Sequence, residues 1–430
     1  MLADSAVTGD ILRRSAARSP ERASIVFDGK NVSYAELDRM TQQCAHALAA
    51  NSHEVAARIN QGAAHLGLGD AKAARRAFNR AINDDPTVAA AWNGLGNALY
   101  DLGRPDDAAE AFNTAANLSP DPAMPRFHRA MALLAAGDYA QGWAEYEHRT
   151  VPLTLRRHAA PPWKGDALDG RRLLISAEQG YGDMIQFARF VPLVAAQGGT
   201  VVFEVPAELL PLFAPFADSV TLTATEDGPV DGVDCHIHLM SLARILGVTA
   251  NTVPAAAPYI AAPPARVAAW REAMQDDGGL RIGIAWAGRP SYPQDAQRSM
   301  DCAHLGPLAA LDGLSLYSLQ KDRTTRPITD ELAASLTDDF SRLPNDFAET
   351  AAIIENLDLI ITVDSAIGHI AGALGKLVWV LLSFAADWRW MREHADTPWY
   401  PAMRLFRQDA AGDWAGVMAR VCEALVDTGC

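Results

Sequence analysis

Cysteine is scarce in this 430-residue chain, and what there is does not pair up: Cys44, Cys235, Cys302, Cys422 and Cys430 are scattered and odd in number. That argues against a disulfide framework and suits a reducing compartment. Long apolar runs are absent as well. None approaches the roughly 20 residues that cross a bilayer, and residues 1–5 hold no basic segment leading into an apolar core. A cytoplasmic protein without stable membrane insertion is expected. Runs of like charge are also lacking. The 37 basic and 52 acidic side chains give a net charge of −15, so sequence-independent binding to nucleic acid or anionic membrane is not expected, and any anionic ligand must be held locally. No Asp-x-Asp motif suggests a catalytic metal. Thiol and imidazole cluster at Cys235-His236-Ile237-His238, ligand types that zinc accepts. They fall along a short strand pattern with no second Cys/His pair of suitable spacing, so a packed strand end is expected rather than a metal site.

An internal repeat is the first strong positive signal. Gly69 aligns with Gly103, Ala74 with Ala108, Phe78 with Phe112, Ala81 with Ala115 and Pro86 with Pro120, each pair 34 residues apart. Small residues where two helices cross, an aromatic filling the gap to the next hairpin and a proline ending the second helix make a helical hairpin repeat. A third unit from Pro125 to about Arg149 keeps Gly137 but carries Gly142-Trp143-Ala144-Glu145-Tyr146, and is expected to close the array by docking on the region C-terminal to it. Before the repeats, residues 12–37 read as helix, strand, Asp28-Gly29 turn, strand and helix.

From about Pro161 strands and helices alternate, the pattern of parallel α/β sheets. Candidate strands cover 172–176, 200–205, 233–238, 281–287, 314–319, 357–363 and 377–382. A Pro/Ala-rich stretch at 253–264 divides the region into two halves, giving segments 1–50, 51–157, 158–262 and 263–430. Ligands of open parallel sheets bind beyond the carboxyl ends of the strands, and four loops lie there. Glu178-Gln179-Gly180-Tyr181-Gly182-Asp183 places Asp183 either to cap a helix or to accept a hydroxyl proton. Trp286-Ala287-Gly288-Arg289, with Arg298 and Ser299 beyond, offers guanidinium groups to a diphosphate. Ser318-Leu319-Gln320-Lys321 puts an amide and an ammonium after a strand. Residues 357–375 run from an apolar strand through Asp364 and Ser365, which can cap a helix, into Ala366-Ile367-Gly368-His369. Such a helix start suits a diphosphate, although a generic strand-to-helix corner has the same grammar.

The repeats resemble the tetratricopeptide repeat, with Trp92, Leu95, Gly96, Ala108, Phe112, Ala115 and Pro120 at its signature positions. Residues 12–37 look like the opening of acyl-adenylate-forming enzymes, but no Ser/Thr/Gly-rich phosphate loop comes after them; an appended segment without adenylation activity is expected. The rest resembles bacterial proteins that join tetratricopeptide repeats to a heptosyltransferase-type glycosyltransferase domain of the two-Rossmann GT-B architecture. The likeness rests on Ala177-Glu178-Gln179-Gly180 with Gly182-Asp183, Gln186-Phe187-Ala188-Arg189, Asp346-Phe347-Ala348-Glu349, Asp364 with His369, and Asp387-Trp388-Arg389-Trp390. It implies Asp183 as general base and the turn from Asp364 to His369 as the donor-diphosphate loop, with catalytic residues Asp183 and His369. Donor contacts would come from Gly182, Arg289, Gln320, Lys321, Asp364, Ser365, Ala366, Ile367 and Gly368. Heptosyltransferases typically carry glycine where this chain has Ala366, and their phosphate-binding lysine has no clear counterpart. The implied activity is inverting, metal-independent transfer from a nucleoside-diphosphate sugar, used as co-substrate with no cofactor. The acceptor hydroxyl would sit on a protein recruited by the repeats, for instance Ser or Thr of a surface-structure subunit such as flagellin. A lipid or polysaccharide precursor, or a degenerate scaffold for protein interaction, are the alternatives.

Overall fold

The structure, a computed structural model, describes residues 23–27, 30–33, 36, 39, 40, 54–149, 159–274, 278–292, 295–322, 325–343, 346–392 and 394–427. It divides into two compact units, residues 1–132 and 133–430. In the first, β1 (Ala23–Phe27) and β2 (Lys30–Ser33) pair antiparallel with Phe27 opposite Lys30. The Asp28-Gly29 turn and the helix expected before β1 lie outside the described residues.

Helical hairpins come next: α1 (Glu54–Gly67) with α2 (Ala71–Asp84), and α3 (Ala89–Asp101) with α4 (Pro105–Leu118). Gly69 and Gly103 turn each hairpin at φ 75° and 74°, where a side chain would strain the backbone. The 34-residue period has a packing cause. A Cβ on Gly62 would lie 2.6 Å from the Phe78 ring, and one on Gly94 2.2 Å from the same ring, while Gly96 repeats the relation with Phe112 at 2.5 Å. Each buried ring therefore needs the glycines opposite it, and each contributes about 1.5–3 kcal/mol of burial. Helix α5 (Ala123–Ala135) leads through Gly137 to α6 (Tyr139–Tyr146), capped by Asp138, which accepts from Gln141 N at 3.1 Å.

Two parallel sheets form the body of the second unit. The first has the order β5-β4-β3-β6, with β3 Arg172–Ser176, β4 Thr200–Val205, β5 Val220–Ala224 and β6 Cys235–His238. The second has the order β12-β11-β10-β7-β8-β9, from β7 Leu280–Ala285, β8 Leu314–Ser318, β9 Leu336–Asp339, β10 Leu359–Val363, β11 Leu377–Leu382 and β12 Met403–Arg407. Central β10 is buried along its whole length, with Ile361 opposite Ile284 and Trp379. The seven expected strands are present. Three more, β5, β9 and β12, went unread, and all three are sheet edges. An edge strand is covered on fewer sides and shows no continuous apolar run.

In each sheet the strand order reverses once, between β3 and β6 and between β7 and β10. Those crevices are where a ligand-binding site is expected. The 253–264 stretch packs against both halves: Tyr259 N donates to Ala373 O at 3.1 Å, and its hydroxyl donates to Ile185 O at 3.1 Å. Helix α6 also belongs to this body. Trp143 donates to Val248 O at 2.9 Å and meets Trp388 edge-on at 5.2 Å.

Candidate active site

Two helix starts meet at the centre. Helix α7 (Tyr181–Ala188) comes after β3, and α9 (Ala366–Ala373) after β10; between β9 and β10 runs α8 (Phe347–Glu355). A Cβ on Gly182 would lie 2.7 Å from His369 Cδ2 and 3.6 Å from Ala366 Cα. Gly182 is thus the point where the first half touches the opening turn of α9, and only glycine lets the α7 backbone come so close to the His369 ring.

Asp183, at the third position of α7, combines the cap reading with an ion pair. One carboxylate oxygen accepts from Gly180 N at 2.8 Å, and the other pairs with Arg389. Arg389 is buried, donates to Asp387 Oδ1 at 2.8 Å and Gln186 Oε1 at 2.6 Å, and lies 4.3 Å over the Trp388 ring. Burial opposes its charge, but Asp387 and Asp183 outweigh that and hold its pKa well above the ordinary value. Of the three non-glycine residues at positive φ among the described residues, Gln179 (69°) precedes α7 and Met391 (52°) comes just after Arg389. Local strain of order 1–3 kcal/mol is therefore concentrated on the two loops joined by this pair.

Ser365 is the residue at the start of α9, but the expected cap does not form. Its hydroxyl lies 3.1 Å from Thr362 Oγ1 and makes no bond to the helix amides, because the end of β10 supplies a nearer partner. The helix start is left without a side-chain cap, as an anion site requires. Asp364, half-buried between β10 and this start, has its pKa pushed up to about 6 by burial and the neighbouring Asp387, against the pull of Arg298. Ala366 and Ile367 are half-buried and Gly368 is buried beneath them. His369 is buried, meets Tyr400 OH at 2.9 Å through Nδ1 and stacks on Trp390 at 5.6 Å. Burial, reinforced by Arg389, Arg189 and Arg298, drops its pKa well below the usual value, so it offers a neutral ring.

The remaining donor-side candidates are less concentrated. Gln320 Oε1 accepts from Trp286 N and Ala287 N at 3.1 and 3.0 Å, so it braces the loop after β7. Lys321 Nζ donates to Phe340 O at 3.0 Å, and its charged neighbours are Glu349, Asp339 and Asp346. Arg289 is exposed and its field reaches Tyr181. Arg298, whose charge acts on Asp364, pairs with buried Asp295 at 3.2 Å and stacks on Tyr292 at 4.4 Å. A side chain at Gly288 would run into it at 2.5 Å. The crevice between β3 and β6 is filled from within: Arg149 grips Glu178 at 2.5 and 3.1 Å and Ser241 Oγ at 2.8 Å, all buried. Neither Arg389 nor Arg149 was singled out for a role from sequence, although Asp387-Trp388-Arg389-Trp390 stood among the motifs. His236 bonds Ala160 O at 2.7 Å through Nδ1, with Cys235 on the opposite, buried face of β6.

Parallel sheets whose carboxyl ends bring two helix starts together, preceded by helical hairpins, define a helical-repeat protein with a two-sheet parallel α/β body. The tetratricopeptide-repeat model matches residues 59–125 and 95–147, and the model for glycosyltransferase family 9 (heptosyltransferase) matches residues 314–381. Protein FlbA of Caulobacter vibrioides is 30% identical over 414 residues, which is 89% of this chain and 68% of that protein. The chain belongs to the family of Protein FlbA, with tetratricopeptide repeats ahead of a glycosyltransferase family 9 domain. Among solved structures, E. coli ADP-heptose lps heptosyltransferase II is similar over 60% of this chain and 98% of its own, at 12% identity and TM-score 0.44. E. coli heptosyltransferase WaaC with ADP-2-deoxy-2-fluoro heptose is similar over 60% and 100%, at 12% identity and TM-score 0.41.

Proposed function

We propose that this chain transfers a sugar, with inversion and without a metal, from a nucleoside-diphosphate sugar to a hydroxyl on a protein that the repeats recruit. The observation that carries the reading is the meeting of Gly182 with His369 and Ala366. It sets Asp183 one residue from an uncapped helix start. In this reading the acceptor oxygen attacks the anomeric carbon as Asp183 takes its proton. The bond to the diphosphate breaks, and the charge left on that group is met by the opening amides of α9 and by Arg298. Neutral His369 contributes shape and one N–H, not charge.

The test is a panel of nucleoside-diphosphate sugars read by thermal shift and by release of nucleoside diphosphate. A donor present at 100 times its dissociation constant adds about 2.7 kcal/mol of stability. No shift with any donor removes the reading. One observation favours a scaffold instead: both carboxylate oxygens of Asp183 already have partners. A donor that binds and is never turned over, with any protein bound by the repeats, would select that alternative.

A further inference from the structure

We infer that helix α6, the closing repeat, positions Asp183, with Tyr146 acting on one carboxylate oxygen and Trp143 on the other. The inference rests on the proposed role of Asp183. The first route runs through the loop before α7. The Tyr146 hydroxyl accepts from Gln179 Nε2 at 3.0 Å. Gln179 sits at φ 69°, and the next residue, Gly180, donates its N–H to Asp183 Oδ2 at 2.8 Å. Relaxing Gln179 toward the right-handed region turns the Gly180 amide away from that oxygen, so the tether that holds Gln179 also holds Asp183. Arg149, three residues past Tyr146, clamps Glu178 on the other side of Gln179.

The second route starts at Asp183 Oδ1, which pairs with Arg389. The Arg389 guanidinium lies 4.3 Å over Trp388, and Trp388 meets Trp143 edge-on at 5.2 Å. Tyr146 and Trp143 lie three residues apart on one face of α6, where side chains of a helix are neighbours. Both are buried. A repeat helix thus reaches both oxygens of one carboxylate without touching a substrate, and donor groups on α9 have no part in either route.

Three variants test this: Tyr146→Phe, which removes the hydroxyl and keeps the ring; Gln179→Ala, which removes the tether and keeps a Cβ that disfavours positive φ; and Trp143→Phe. The first readout is amide hydrogen exchange, which needs no activity. Peptides covering residues 178–187 are expected to exchange several-fold faster in Tyr146→Phe and Gln179→Ala, with peptides covering residues 359–373 unchanged. The second is release of nucleoside diphosphate from a nucleoside-diphosphate sugar that binds. There kcat is expected to fall about ten- to a hundredfold, the scale of a small misplacement, with KM for the donor unchanged. Exchange at residues 178–187 unchanged in both Tyr146→Phe and Gln179→Ala overturns the inference. So does faster exchange with kcat intact. If wild-type protein turns over no donor while the exchange effect is present, the fault lies with the transferase reading and the coupling stands.

Discussion

At the carboxyl end of the first sheet the crevice between β3 and β6 is filled by the Arg149–Glu178 pair, both partners buried. At the same place in the second sheet, between β7 and β10, the chain leaves a half-buried carboxylate and a helix start that its own N-terminal residue does not cap. Equivalent sheets thus end in opposite chemistry. One crevice is closed by the chain itself, and the other ends in a helix start without a side-chain cap. Under the proposed function the difference assigns each half its part: the second would supply the donor-binding surface, and the first a frame that presents Asp183 at the boundary.

The largest effect should come from opening the closed crevice. Arg149→Met leaves the Glu178 carboxylate buried without its counterion and is expected to cost about 3–5 kcal/mol in urea unfolding. Adding Glu178→Leu should recover most of that, since a buried ion pair is often replaceable by apolar groups. A double variant as unstable as the single would mean that the crevice is not held shut by this pair. Next is Asp183→Asn, expected to lower turnover by about two to four orders of magnitude, with donor binding kept by the second half. Near-normal turnover would reduce Asp183 to a cap and partner of Arg389. Gly182→Ala pushes a methyl into His369 and should cost about 1–3 kcal/mol by thermal unfolding, because the contact is backbone against a fully packed ring.

The smallest effects are those of pH. Asp364 has a raised pKa in the folded protein, so the folded state binds more protons than the unfolded one between the usual carboxylate range and about pH 6. Its contribution is favourable at low pH and is lost as pH rises through about 6. Asp364→Asn should therefore gain stability on wild type at pH 7.5 relative to pH 4.5. His369 has a lowered pKa, so the unfolded state binds the extra proton and stability falls as pH drops below the usual histidine value. His369→Gln should flatten that decline. If both variants track wild type across this range, the two groups do not carry the electrostatic contrast between the crevices.

Much of this was legible in the residues. The 34-residue spacing of Phe78 and Phe112 is readable because each ring has to fit glycines at fixed offsets, so the packing rule is written locally. Strand β10 is readable because burial along its full length demands an unbroken apolar run. The edge strands β5, β9 and β12 were not, since partial cover leaves no such run. Asp364 to Gly368 was recognisable as a helix start, but the cap assigned to Ser365 failed because Thr362 competes for its hydroxyl. Lys321 and Gln320 were placed after the right strand, yet their partners, Phe340 O and the Trp286 and Ala287 amides, lie well away in sequence.

Sequence by itself determined the repeats, the parallel α/β body and, to within a few residues, the helix starts near Asp183 and after Ser365, because each rests on periodicity or on neighbours a few residues apart. Tertiary structure alone decided which groups surround Asp183. Arg389 is 206 positions away and reaches it only after the second half folds back, and Glu178 is claimed by Arg149 from the repeats. A buried charge must find its partner wherever the fold brings one, and that choice has no local signature in the chain.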